Sequence, residues 1–355
     1  MSSSAQLPDT NNSTVHLSRP TPQTRTLTKT IQPQILIWKF PSRTLLQTPF
    51  SPTLTLIGMS RAADETAFYI PELGFMFDCG LKVHTAVPTH IFITHTHSDH
   101  CLMLTQHVSK HHPPNIYLPN ECVELVERYL NASQELTDYG EEYNARIRFY
   151  CAGVEKGDVL TIGGDQKEKT HVGGYEIHVI NMDHSVPCVG YMIYSKRKRL
   201  KPEYKDLTGQ EIAALKKSDK SLNVMQDFLF PLFTFCGDTT AKIFKLPNPN
   251  NIDIENSNVL NDTDRSQNHQ WNNMPFVITE CTFLKDEHIE NAERTKHTRW
   301  QELQNVVKLY PATVFILIHF SKRYSDDYIQ RFFEQEKVEW KERGDGNLEN
   351  IVVWI

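Results

Sequence analysis

From about Thr53 the chain alternates short apolar runs with glycine and proline. LTLIG, TAFYI and GFMFDCG follow one another, punctuated by Gly58, Pro71, Gly74 and Gly80. That rhythm predicts a meander of strands on one sheet. HIFITH and NIYLP at 115–119 continue it, and RIRFYC, YEIHVINM, VGYMIYS, PLFTFCGD, FVITEC and TVFILIHF repeat the signal further along. Helical spacing intervenes between these runs. Asn120 is placed to cap a helix in which Cys122, Leu125, Val126, Tyr129 and Leu130 share a face, and further helices are expected around 208–217, 298–309 and 325–336. Strand blocks with covering helices predict a layered α/β protein.

Two stretches break the pattern. Residues 1–50 are rich in Ser, Thr, Pro and Gln and carry Arg19, Arg25, Lys29, Lys39 and Arg43 against a single acid, Asp9. They read as a disordered or targeting extension before a single large domain at 51–355, although QILIWKF at 34–40 is apolar enough to be a first strand. The segment near 248–274 is Asn/Asp-rich, lacks periodicity, and is expected to be a disordered surface loop. No internal repeat is visible.

Composition narrows the classes. With 355 residues and 39% hydrophobic content the chain can bury a large core, and its formal charge of -6 excludes a polycation. Any nucleic-acid contact must then come from a local patch. The seven cysteines include no CxxC pair, which fits a reducing compartment rather than a disulfide framework. No apolar run reaches the length of a membrane helix, and no signal peptide opens the chain. We expect a soluble, intracellular protein with no membrane partner, working in cytoplasm or nucleus, with the mitochondrion a third address suggested by the acid-poor N-terminus.

The chemistry starts at HTHSDH, directly after HIFI. His95, His97, Asp99 and His100 crowd into six positions of a chain with 16 histidines in all. Imidazoles two apart on an extended segment point the same way, and the next Asp and His can turn back from the following loop. Such nitrogen and carboxylate donors suit Zn²⁺, and Mn²⁺ or Fe fits the same cage. More donors stand where later strands run out into loops: His184 after YEIHVINM, Asp238 after LFTFC, and His319 after TVFILI. Strand ends are where a rigid sheet presents reactive groups.

With HTHSDH, DHSVPCVGY, KRLKPEYKDLTGQEI, CGDTT, ITECTF, KHT and ILIHFSKRY in hand, the chain resembles the metallo-β-lactamase superfamily, and within it the short form of ribonuclease Z (tRNase Z), over about residues 53–325. The resemblance implies a four-layer αββα sandwich and two zinc ions. It places His95, His97 and His184 on one ion, Asp99, His100 and His319 on the other, and Asp238 between them. It further implies that Asp99 orients or deprotonates the attacking water, that Glu280 and His297 form a proton-donating couple, and that the reaction is metal-hydroxide attack removing the 3′ trailer of precursor tRNA. Relatives form homodimers, so a homodimer is expected.

The chain also departs from that family. CLML at 101–104 stands where glycines are usual, and the Gly-Pro-bearing arm is absent. In its place runs KRKRLKPEYK, whose Lys196, Arg197, Lys198, Arg199 and Lys201 could hold RNA phosphates or form a solvated loop. Two other functions stay open at this point. One is a phosphodiesterase or other ester hydrolase on the same metal core, and the other is a non-catalytic RNA-binding subunit.

Overall fold

The structure is a computed structural model and describes residues 34–39, 53–83, 86–108, 112–137, 149–163, 173–244, 271 and 274–355. Most of 1–50, nearly all of 248–274 and the start of RIRFYC lie outside the described residues. Residues 33–355 form one unit, and its first strand, Gln34–Lys39, falls on the QILIWKF run.

Among the described residues, the strands build two seven-stranded sheets. The first holds β1 (Gln34–Lys39), β2 (Thr53–Arg61), β3 (Glu65–Ile70), β4 (Phe75–Phe77), β5 (His90–Phe92), β6 (Asn115–Pro119) and β7 (Tyr150–Val154) side by side in that order. The second holds β8 (Val159–Ile162), β9 (Tyr175–Asn181), β10 (Val189–Leu200), β11 (Met225–Phe235), β12 (Phe276–Glu280), β13 (Val314–Ile318) and β14 (Ile351–Val353) in the same fashion. In each sheet the first three pairings are antiparallel and the last three parallel. The halves are topological copies. Pairing order constrains hydrophobic pattern rather than residue identity, so the duplication leaves no repeat in the sequence.

Strand alternation makes the layers. In β13, Ile316 and Ile318 point between the sheets while Phe315 and Leu317 point outward, as a period of two requires. Both faces are covered, hence the uninterrupted apolar run. Phe68, Phe77, Phe92, Tyr191, Phe233 and Phe235 fill the space between the sheets, and Phe77 lies 5.2 Å from Phe92 and 5.1 Å from Phe235, ring centre to ring centre. Burying one such side chain contributes about 1.5–3 kcal/mol.

Outside the second sheet, α6 (Trp300–Leu309) and α7 (Asp326–Glu342) pack through Trp300, Leu303, Val306, Phe333 and Trp340. Outside the first, Val126 and Leu130 of α3 (Val123–Thr137) join Leu104 and Val108. The order of layers is αββα. Asn120 opens a 3₁₀ turn ahead of α3 rather than capping it. Leu125 and Tyr129 are 55% and 37% exposed, so the buried stripe runs through Cys122, Val126, Leu130 and Gln134. The other two sit about 100° round the helix, at the margin where it leaves the sheet.

The basic run is a strand. Lys196 to Leu200 complete β10 and pair with β11 from Leu229 to Met225, and their burial falls off beyond Ser195 as the pair outruns the core. No disulfide joins any two of the seven cysteines.

Candidate metal centre

The segments that follow β4, β5, β9, β11 and β13 converge. Asp78 ends the first, His95 to His100 the second, His184 the third, Asp238 the fourth and His319 the last. Glycines permit the approach. Gly237 has φ +63°, and a methyl group there would meet Thr94 at 2.7 Å; one on Gly80 would lie 1.7 Å from the Asp99 carbonyl oxygen. Gly80→Ala is therefore expected to lift the His95–His100 segment off its seat, reducing divalent-metal uptake and lowering the thermal midpoint by several degrees, at about 2–4 °C per kcal/mol for a domain of this order. Parent-like metal content and midpoint would show that the segment yields freely.

Seven donors meet in this space. His95 Nε2 lies 3.0 Å and His184 Nε2 3.3 Å from His97 Nδ1. Asp238 Oδ2 stands 3.7 Å from His95 Nε2 and 4.0 Å from His184 Nε2, yet only 3.4 Å from both His100 Nε2 and His319 Nε2. Asp99 Oδ2 is 3.4 Å from His319 Nε2. The donors group as His95, His97, His184 and Asp238, and as Asp99, His100 and His319, while His297 joins Asp238 and His319 in a third set, each within 4.8 Å. Asp238 thus faces both groups.

The opposite ring nitrogens are tied down. His95 Nδ1 meets Thr94 Oγ1 at 3.0 Å, His100 Nδ1 meets Asp78 Oδ2 at 2.8 Å, His319 Nδ1 meets Thr282 Oγ1 at 3.1 Å, and His184 Nδ1 meets the Lys296 carbonyl at 3.3 Å. A partner on Nδ1 fixes the tautomer that leaves Nε2 as a lone pair. Thr94 in turn donates its N–H and hydroxyl to Asp78. None of these partners stood out in the sequence. Asp78 had one usable signal, an acid closing the buried run GFMF.

The charges suit a cation. Burial pushes His95 well below the ordinary imidazole range, with the His100 charge adding to it, and burial also lowers His97 and His184. The lowered values favour the neutral ring, the form that metal ligation requires. Against the penalty of burial, His319 and His100 hold Asp238 well below the usual carboxylate range, and the His319 hydrogen bond with the His100 charge takes Asp99 to about 2. His100 is pushed well up by Asp238 and Asp78 despite its burial. Asp238 Oδ1 is buried and finds no donor among the described residues. A buried carboxylate oxygen without a donor costs free energy unless a cation meets it, and the donor set fits divalent metal.

Beside the cluster sits a saturated carboxylate. Glu280 is fully buried and accepts from Thr239 N–H at 2.7 Å, Thr298 N–H at 3.1 Å, His297 Nδ1 at 2.8 Å and the Thr282 hydroxyl. That leaves His297 Nε2 for the cleft. The cleft, of about 480 Å³, is lined by His97, Asp99, Asp238, His297 and His319 together with Ala63, Ser185 and Arg294. Burial works against a charged ring, but Glu280 and then Asp238 raise His297 to about 9.

The basic run lies apart from this cluster in a different setting. Alternation splits it between two faces. Lys196 pairs with Glu176 at 3.2 Å, while the Arg197 and Arg199 guanidinium groups lie over Phe230 and Phe228 at 3.7 and 5.0 Å. Lys198 and Arg199 are exposed and Lys201 is half-buried.

No protein-family model matches the chain. Similar proteins include tRNase Z TRZ1 of Arabidopsis thaliana, 28% identical over 76% of this chain and 85% of that protein. Others are the chloroplastic tRNase Z TRZ2 of the same plant, 29% identical over 77% and 69%, and ribonuclease Z of Methanococcus maripaludis, 27% identical over 75% and 84%. The crystal structure of human tRNase Z, short form, aligns with a TM-score of 0.42 and 19% identity over 76% of this chain and 93% of that one. The resemblance carried by the motifs is borne out at the level of sequence: the chain is similar to proteins named tRNase Z and ribonuclease Z over about three quarters of its length.

Proposed function

We propose that the protein is a zinc-dependent endoribonuclease that removes the 3′ trailer from precursor tRNA. The observation that carries this reading is a seven-donor cluster and a Glu280–His297 pair opening on one cleft, in a relative of proteins named tRNase Z. His95, His97 and His184 would hold one zinc, Asp99, His100 and His319 a second, and Asp238 would touch both. When bound, such ions activate water and neutralise charge on a phosphodiester.

The side chains do the rest. Asp99 Oδ2, fixed by the Ala63 N–H at 2.9 Å, orients the attacking water and takes its proton as oxygen bonds to phosphorus. His297 Nε2–H protonates the departing 3′-oxygen, and Glu280 holds the imidazolium in place. The products are a tRNA ending in a 3′-hydroxyl and a trailer beginning with a 5′-phosphate. End-mapping of a labelled precursor tests this directly. Cleavage of an aryl phosphodiester with none of the tRNA would instead favour another ester hydrolase on the same core.

For docking RNA we propose the distal β10–β11 pair. Arg197, Lys198, Arg199 and Lys201 would meet phosphates, and Lys196, already paired with Glu176, would add least. Neutralising those four should flatten the slope of log affinity against log salt by about 0.7–0.9 for each phosphate no longer neutralised, with little change on a small aryl ester. An unchanged slope would move the docking surface elsewhere. We also propose a homodimer. It is supported by exposed Leu102, Leu125 and Tyr129, the last donating its hydroxyl to the Leu102 carbonyl at 2.7 Å. Among the described residues no helix is long and apolar enough to cross a membrane, and relatives named nuclear and chloroplastic support a workplace inside the cell.

A further inference from the structure

Four described residues other than glycine have positive φ, and all four border the metal centre: Ala63, Asp78, Lys296 and His319. Three have an evident reason. Ala63 donates to Asp99, Asp78 accepts from His100, and His319 is itself a donor in the cluster. Lys296 is neither ligand nor acid, yet left-handed backbone costs a lysine about 1–2 kcal/mol. Strain of this kind persists only where surrounding contacts impose it.

The contacts are specific. Lys296 ends α5 (Ile289–Thr295) at φ 54°, ψ 52°, which turns its carbonyl onto His184 Nδ1 at 3.3 Å. Its Nζ meets Asp183 Oδ1 at 3.0 Å. Asp183 Oδ2 accepts from the Thr240 hydroxyl at 2.7 Å, and the Asp183 N–H donates to Thr239 Oγ1 at 3.0 Å. One ion pair therefore joins the three segments that carry His184, Asp238 and His297.

We propose that Lys296 is a positioning residue: its ammonium, paired with Asp183, holds its own carbonyl on His184 Nδ1–H, so that His184 offers the Nε2 lone pair to the metal. The inference rests on reading His184 as a ligand. A neutral imidazole carries one N–H. Without a fixed acceptor at Nδ1, the tautomer protonated on Nε2 competes, and that form cannot ligate. The pair is partly exposed, its side chains at 46% and 35%, so its grip is modest and weakens with salt.

The test is Zn²⁺ affinity, measured by chelator competition on the metal-free full-length protein. Lys296→Met should bind zinc about tenfold more weakly, in the range found when ligating histidines lose a hydrogen-bond partner, and raising salt should bring the parent toward the variant. Lys296→Gly keeps the backbone turn and should be at least as heat-stable as the parent while binding zinc as weakly as the Met variant. Exchanging the charges, Asp183→Lys with Lys296→Asp, should recover most of the affinity, since aspartate tolerates left-handed backbone. A Met variant within twofold of the parent at an unchanged midpoint, or a Gly variant with full affinity, would overturn the role of the ammonium. A parent that binds no zinc would overturn this inference together with the metal reading, whereas a parent that binds zinc but leaves precursor tRNA intact would overturn only the substrate.

Discussion

Asp238→Ala is expected to lose one zinc equivalent or more and to cleave precursor tRNA about 10²–10³ more slowly. Among the described residues the carboxylate is the only acid grouped with both halves of the cluster, at 3.4 Å from His100 and His319 and 3.7 Å from His95. Removing it leaves imidazoles facing one another without the negative charge that draws a cation in. The rate estimate follows from several kcal/mol of charge stabilisation that metal ions supply in such reactions. Metal analysis and single-turnover rates read the two effects separately. A variant with two zinc ions and parent-like turnover would sink the assignment of Asp238 as the shared ligand.

His297→Ala should behave differently, keeping zinc and RNA affinity while cleavage falls by about 10²–10⁴, the span of general acid catalysis. The loss should shrink for an aryl ester whose leaving group needs no proton. A variant cutting precursor tRNA at the parent rate would remove His297 from the mechanism. The same residue gives a stability signature in the metal-free protein. Its folded value, raised to about 9 chiefly by Glu280 against the effect of burial, lies above the ordinary imidazole value of roughly 6.5. The charged pair therefore stabilises fully below that ordinary value, and the contribution is lost as pH rises through about 9. Metal-free parent protein should lose thermal stability over that window more steeply than His297→Gln. Equal pH dependence would place the proton elsewhere.

The donors were legible because they announce themselves locally. HTHSDH is dense, and His184, Asp238 and His319 each follow an apolar run whose end marks a strand terminus. Their partners were not, since Asp78, Thr282 and Lys296 act through contacts that sequence spacing does not encode: Asp78 reaches His100 across 22 positions and Lys296 reaches His184 across 112. The layers followed from apolar runs covered on both faces. The weakest strands escaped, β8 because Val159 is exposed and β14 because it is three residues long. KRKR read as loop or patch for a physical reason too. Its apolar partners, Phe228 and Phe230, sit about thirty residues away on the neighbouring strand, so nothing in the run itself shows alternation.

Single-turnover cleavage of end-labelled precursor tRNA, followed while Zn²⁺ is titrated into metal-free protein, joins the metal centre to the substrate in one curve. Activity should rise from background and break at two equivalents per chain, with one product ending in a 3′-hydroxyl. Cleavage that persists without metal, or a protein that holds two zinc ions and leaves the precursor intact, would contradict the proposed function.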